Sequence, residues 1–280
     1  MWVLLLLSKL KELNVPLSIA TWNVNSINAR LPTALEVLKE IDADVVCLQE
    51  LKCEDGKFPR GEIEDLGYNI ETHGQKTYNG VALLSKHRIE DVTRGLPGME
   101  DDPQSRWIEA LIEAPGGPVR VASLYAPNGN PVGTEKFDYK LKFMDALLAH
   151  ARARLAFEEP YVIAGDYNII PRDEDCYSAT AWMDDALFLP ESKNRYRALA
   201  ALGFTDAFMQ VDGGGHHYTF WDYQAGAWQK DHGIRIDHLM CSPQAADRLE
   251  AVTIHKKARG KEKPSDHVPV IGAFRDRKAK

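Results

Sequence analysis

The sequence predicts an α/β fold with mixed β-sheets and helices on the outside, and three observations carry that prediction. Short apolar runs of strand length recur between residues 17 and 274. Stretches with apolar residues at helical spacing lie between them. Several neighbouring strands are too close in sequence for the dozen or so residues that a parallel crossover needs, so they pair antiparallel. An all-parallel Rossmann or barrel layout is therefore disfavoured.

Taken in order, residues 17–22 form the first strand, which runs into Asn23-Val24-Asn25. Apolar residues at 31, 34, 35, 38 and 41, with Pro32 in the first turn, make 31–41 an amphipathic helix. Residues 44–48 and 80–84 are strands, and 106–113 with 119–125 form an antiparallel hairpin. A long helix over 134–157 aligns Phe137, Leu141, Met144 and Leu148. Strand 161–165 follows, then a helix over 192–202 that stops at Gly203. Residues 233–241 read as a strand, Ser242-Pro243 caps a helix through Leu249, and 268–274 is the last apolar run.

With 280 residues, 44% of them apolar and 27% charged, the chain can bury a large core without staples. No linker, low-complexity stretch or repeat interrupts 17–280, which are read as one domain. Residues 1–16 are read as an extension, either a loosely docked helix or the product of an upstream start codon. The apolar run 2–7 has no basic residue before it, no cleavage site after it, and falls far short of the roughly 20 residues that span a bilayer. Export and membrane anchoring are thus disfavoured. Four cysteines without a C-x-x-C pair point to a reducing compartment, and the protein is expected in the cytosol (cytoplasmic). The net charge of −7 excludes a generic polybasic coat. Beyond residue 254, however, basic residues outnumber acidic ones nine to three, a surface that could meet a polyanion.

The chemistry gathers at strand ends. Strand 44–48 runs straight into Gln49-Glu50, and strand 161–165 into Asp166-Tyr167-Asn168. A buried apolar strand that ends in a carboxylate delivers it to the sheet rim, where loops converge and ligands bind. Asn23 and Asn25 end the first strand, Asp237 sits inside an alternating strand, and Ser265-Asp266-His267 precedes the last run. Singly, such residues are ordinary turn formers. Together, Asn23, Asn25, Glu50, Asp166, Asn168, Asp237, Asp266 and His267 offer almost only oxygen, with one histidine and no cysteine. That donor set suits Mg²⁺ or Mn²⁺ rather than zinc. A divalent ion on carboxylates also lets an acidic cleft receive a phosphate, so metal-assisted phosphodiester cleavage is the natural chemistry.

Eight segments in order carry a family resemblance: TWNVNSI at 21–27, CLQELKC at 47–53, GQKTYNGVALLSK at 74–86, LYAPNG at 124–129, AGDYNI at 164–169, YTFWDY at 218–223, GIRIDHLMCS at 233–242 and KPSDHVPV at 263–270. The chain resembles the exonuclease III-type apurinic/apyrimidinic (AP) endonucleases of the DNase I-like endonuclease/exonuclease/phosphatase superfamily. The resemblance implies a four-layer α/β sandwich, two mixed β-sheets packed face to face with helices outside. It implies a Mg²⁺-dependent DNA-repair nuclease, a monomer with no membrane partner. Such an enzyme cuts duplex DNA 5′ to an abasic site and leaves 3′-hydroxyl and 5′-deoxyribose phosphate ends. A 3′-to-5′ exonuclease or cleaning activity on blocked 3′ ends comes with it.

By the same resemblance, Glu50 is the main metal ligand, with Asn23, Asn25 and Asp266 as nearby or alternative metal-site groups. Asp166 orients or deprotonates the attacking water, helped by Asn168. His267, oriented by Asp237, donates to a non-bridging phosphate oxygen. Tyr125 sits near the phosphate and leaving oxygen, and Asn128 contacts the phosphate. Phe220, Trp221 and Ile236 form a pocket for the extruded baseless sugar, and Tyr78 lies on a loop sent to the minor groove. Lys52, Lys76, Lys136, Lys140 and the basic stretch 256–263 are candidate phosphate contacts. Two departures stand out: Asn28 replaces a phosphate-contacting arginine, with Arg30 as a possible substitute, and the loop Asn128-Gly129-Asn130-Pro131 lacks the arginine that animal relatives insert into DNA. The alternatives are the same catalytic set turned on a lipid or small phosphorylated substrate, and a non-catalytic DNA-binding module.

Overall fold

The computed structural model describes residues 17–275, so the expected extension over 1–16 lies outside the described residues. The first half of the chain supplies β1 (Leu17–Asn23), α1 (Leu31–Ile41), β2 (Val45–Gln49), α2 (Arg60–Glu64), β3 (Asn69–His73), β4 (Val81–Ser85), β5 (Ile89–Arg94), β6 (Trp107–Ile112) and β7 (Val119–Tyr125). The second supplies α3 (Glu135–Leu155), β8 (Tyr161–Asp166), α4 (Ala179–Trp182), α5 (Pro190–Leu202), β9 (Thr205–Asp206), α6 (Ala207–Val211), β10 (Asp237–Cys241), α7 (Pro243–Ala246), β11 (Leu249–Ile254) and β12 (Val270–Phe274). Two six-stranded sheets result, ordered β11-β12-β1-β2-β4-β3 and β5-β6-β7-β8-β10-β9. Each contains one parallel pair, β1 with β2 and β7 with β8, among antiparallel neighbours. The hairpin of β6 and β7 is antiparallel, as expected from its short connection.

Burial on both faces explains the uninterrupted apolar strands. In β2, Val45 and Cys47 point into the layer between the sheets, with Ile19, Val121 and Val162. Val46 and Leu48 point the other way, under Ala34, Val37 and Leu38 of α1. On the outer face of the second sheet, Leu124 and Ile163 pack against Phe143 and Leu147 of α3 and Leu199 of α5. Each such side chain contributes about 1.5–3 kcal/mol when fully buried. The arrangement is helix, sheet, sheet, helix, the expected four-layer sandwich. Among the described residues, no helix is long and apolar enough to cross a membrane.

Three details differ from expectation. The helix after Ser242 ends at Ala246, and residues 249–254 form the edge strand β11. The strand expected over 233–241 pairs regularly only from Asp237, while 233–236 peel away and are held by isolated bridges from Ile234 to Cys176 and Phe220. Two lysines of the basic C-terminal stretch are folded back on acids: Lys261 binds Glu36 and Glu40, and Lys256 binds Asp231.

Two polar devices fix the sheets relative to the catalytic rim. Between the sheets, Gln49 donates to Ser123 Oγ (3.0 Å), whose hydroxyl donates to the Leu48 carbonyl (2.9 Å). Below β10, the buried Arg235 guanidinium donates to both oxygens of Asp175 (2.9 and 3.0 Å) and to Asp206 (2.7 Å). Burial would raise the Asp175 carboxyl, but hydrogen bonds from Arg172 and Arg235 hold it down at about 2. Removing Arg235 leaves the buried Asp206 without its guanidinium partner and Asp175 with Arg172 alone. Arg235→Ala is expected to lose about 3–5 kcal/mol in urea unfolding at pH 7.

Candidate active site

The ends of both parallel strand pairs open onto one cleft of about 290 Å³, with Asn23, Glu50, Tyr125, Asn128, Asp166, Asn168, Asp266 and His267 along it. The same cleft is lined by the apolar side chains of Trp182, Leu187, Phe220, Ile234 and Ile236. The register brings Tyr125 beside Asp166 directly, as Cα partners across β7 and β8. Several of the residues that end these strands turn the chain sharply, with positive φ at Asn25 (44°), Glu50 (59°) and Asn168 (48°). Asparagine tolerates that region, whereas for Glu50 it carries a backbone cost of order 1–3 kcal/mol that the surrounding fold offsets.

Asp166 is buried at the centre of the cleft. Its Oδ2 accepts the Asn23 amide (3.1 Å), its Oδ1 accepts the Asn168 N–H (2.9 Å), and His267 Nε2 lies 3.8 Å away. Burial pushes its carboxyl up to about 7, the His267 charge opposing and the Asp237 charge adding to the rise. His267 donates from Nδ1 to Asp237 Oδ2 (2.9 Å). Burial alone would lower the imidazole, but the Asp237 charge and hydrogen bond overcome it and lift the ring to about 10. The other Asp237 oxygen is buried without a hydrogen-bond partner. Asp237 is itself seated by backbone: the N–H groups of Ile236 and Asp237 both donate to Thr219 Oγ1 (3.1 and 3.2 Å). Tyr125 stacks under the Arg106 guanidinium, 4.7 Å from ring centroid, and burial together with the charges of Glu50 and Asp166 keeps its phenol protonated.

The oxygen donors expected to hold a metal lie at the first sheet's end. Asn25 donates to Asp266 Oδ1 (3.0 Å), and the Lys52 ammonium is bound by Glu50 Oε1 (3.0 Å) and Asn25 Oδ1 (2.6 Å). These oxygens already hold a cationic head in place, so the donor chemistry fits a hard cation. Asp166, Asp237 and His267 also bring ligand atoms within 4.8 Å of one another. There the protonated His267 ring is an ion-pair donor, which makes it a poor ligand.

One expected contact is corrected. Trp221 is fully buried in the core under the first sheet and donates its indole N–H to Asp231 (2.9 Å), so it does not line the cleft. Phe220 does, its ring edge-to-face with that of His267 at 4.9 Å between centroids. Adjacent residues in extended chain face opposite sides, so only one of the two could reach the cleft. The same rule would have found Ile234, two residues before Ile236. Leu187 and Trp182, by contrast, carry no such signal. Tyr78 is exposed and lines a neighbouring groove with Arg106, Asn128 and Lys136. Arg30 does not replace the missing arginine as a free contact, because its guanidinium donates inward to the Asn25 and Pro264 carbonyls and to the Tyr223 hydroxyl.

Comparison with known proteins agrees with this geometry. The model of the endonuclease/exonuclease/phosphatase family matches residues 20–267. The chain is 34% identical over 264 residues to exodeoxyribonuclease III of Haemophilus influenzae, covering 91% of this chain and 98% of that protein. A 3′ phosphatase (NExo) from Neisseria, solved with a product DNA hairpin, superposes with a TM-score of 0.88 at 38% identity, over 92% of this chain and 99% of that one. An AP endonuclease from Archaeoglobus fulgidus gives a TM-score of 0.87 at 34% identity and the same coverage.

The ion pair has a direct spectroscopic consequence. The folded His267 pKa lies above the ordinary value of 6.5, so the ring stays protonated through neutral pH and loses its proton near 10. In Asp237→Asn the raising influence of that carboxylate, its charge and its hydrogen bond, is gone. The midpoint, followed by NMR of the ring nitrogens, is then expected to fall from about 10 toward the ordinary range, with Asp166 and Asp266 still opposing burial.

Proposed function

The chain belongs to the endonuclease/exonuclease/phosphatase family and is a DNA-repair nuclease of the exonuclease III type; from that premise we propose that it cuts the phosphodiester 5′ to an abasic site in duplex DNA, and that it also processes 3′ ends. The observation that carries the reading is the mixed ionic and apolar lining of one cleft. Its lining combines the ionic groups that phosphate hydrolysis needs with the apolar side chains of Trp182, Leu187, Phe220, Ile234 and Ile236. A nucleotide without a base has little stacking to lose, so its extrusion costs least, and an apolar lining then excludes ordinary nucleotides. The Neisseria relative's 3′ phosphatase activity supports the second half of the proposal.

In this reading Asp166 takes the proton of the attacking water. Its buried carboxyl, near 7, is matched to that task, and Asn23 and Asn168 fix its orientation. His267 points Nε2 at a non-bridging oxygen while Asp237 holds Nδ1. Because the ring is already charged, it stabilises the phosphorane-like charge without waiting for a proton. Tyr125 and Asn128 flank the phosphate on the side of the leaving oxygen. Glu50, with Asn23, Asn25 and Asp266, would hold the Mg²⁺ or Mn²⁺ ion. Such an ion, when bound, neutralises charge on the phosphoryl oxygens. Four free, buried cysteines fit a cytosolic enzyme, and we read it as a monomer.

The deciding assay offers a duplex with one tetrahydrofuran abasic analogue, an undamaged duplex and a soluble phosphodiester. Incision of the abasic duplex is expected to stop in EDTA and return with Mg²⁺. Asp166→Asn and His267→Ala should each lower kcat by about 10²–10³. The rate should fall as pH drops through about 7, where Asp166 gains a proton, and again above about 10, where His267 loses one. Preference for the soluble diester over the abasic duplex would sink the assignment.

A further inference from the structure

Lys140, on the inner side of α3, is fully buried. Lysine is almost never buried without a partner, because an ammonium in the interior is costly. Yet this one forms no ion pair among the described residues. It donates instead to two backbone carbonyls, those of Asn128 (3.0 Å) and Asn168. Those carbonyls belong to the loops that follow β7 and β8. The same two residues touch through their side chains, Asn128 Nδ2 donating to Asn168 Oδ1 (3.3 Å), and Asn168 Nδ2 donates back to the Ala126 carbonyl (2.9 Å).

We propose that Lys140 is a positioning residue of the nuclease: its ammonium clamps the loop of Asn128 to the loop of Asn168 from behind, and so fixes the two amides that face the phosphate. The chain between the loops is shaped around this side chain. Gly129 has φ +92°, and a Cβ there would come within 2.6 Å of Lys140 Cδ and 3.2 Å of the Ala186 Cβ. Asn168 has φ +48°, held at a strand end that also carries Asp166. Burial lowers the Lys140 amine to about 7, with the charges of Asp166 and Asp185 opposing the drop. A side chain present only to fill space would be Met or Leu, of similar volume and without that cost. The two carbonyls would otherwise be left without this donor in the interior.

The inference rests on the abasic-nuclease reading, and the test separates the two. Wild type, Lys140→Met, Asn128→Ala and the double variant are compared on the abasic duplex in Mg²⁺, with thermal unfolding in parallel. Failure of the wild type to cut would defeat the functional reading itself. Given wild-type cutting, Lys140→Met is expected to fold and to lose about 10- to 100-fold in kcat, because misplacing reacting groups by an ångström costs that much. KM should stay within about threefold, since the loss falls on the transition state. In the Asn128→Ala background, most of the Lys140→Met effect should disappear. Unchanged kcat in Lys140→Met, or a loss fully additive with Asn128→Ala, overturns the inference. If the Met variant does not fold, Lys140→Gln goes through the same cycle and is read by the same two outcomes.

Discussion

The buried ion pair between Asp237 and His267 is the interaction around which the site is organised. It joins the second sheet to a loop leading into the first, since Asp237 begins β10 and His267 precedes β12. Neither partner is stable there alone. An isolated carboxylate or imidazolium in the interior costs several kcal/mol, whereas the pair, with Thr219 holding the backbone beneath Asp237, keeps a positive charge permanently aimed at the cleft. The sheets must meet in one register for this to happen. The Gln49–Ser123 hydrogen bond ties them together, while the Arg235 network anchors Asp175 and Asp206 beneath β10.

Much of the site was legible in the sequence because of one repeated local pattern. An apolar strand followed at once by Glu50, or by Asp166, has one place to put its carboxylate, the rim. Trp221 was misplaced because a motif names residues without their facing, and facing follows the two-residue period of extended chain. The edge strands β3, β5 and β11 were hidden for a different reason. Their exposed positions are polar and their runs short, so their strand character comes from neighbours in space. Lys52 was legible as a residue but not in its role. Only the fold shows its ammonium lodged between Glu50 and Asn25, and nothing along the chain marks Leu187 or Trp182 as part of the lining of a pocket.

The same distinction governs how an acidic protein receives a polyanion. The net charge is −7, and Lys261 and Lys256 of the C-terminal basic stretch are engaged by acids of α1 and by Asp231. Long-range attraction is therefore weak, and at physiological salt it fades beyond roughly 8 Å in any case. What a phosphate would meet in the cleft is local, the His267 imidazolium and the Lys52 ammonium beside Glu50, while the buried Lys140 stays behind Asn128 and Asn168 and out of contact. Each cation is held by a different segment, and each is interleaved with an acid or a carbonyl that keeps it in place. Affinity for DNA in such an enzyme depends on fit within the cleft far more than on the total charge of the chain, because a buried or half-buried charge is screened much less than one on the surface.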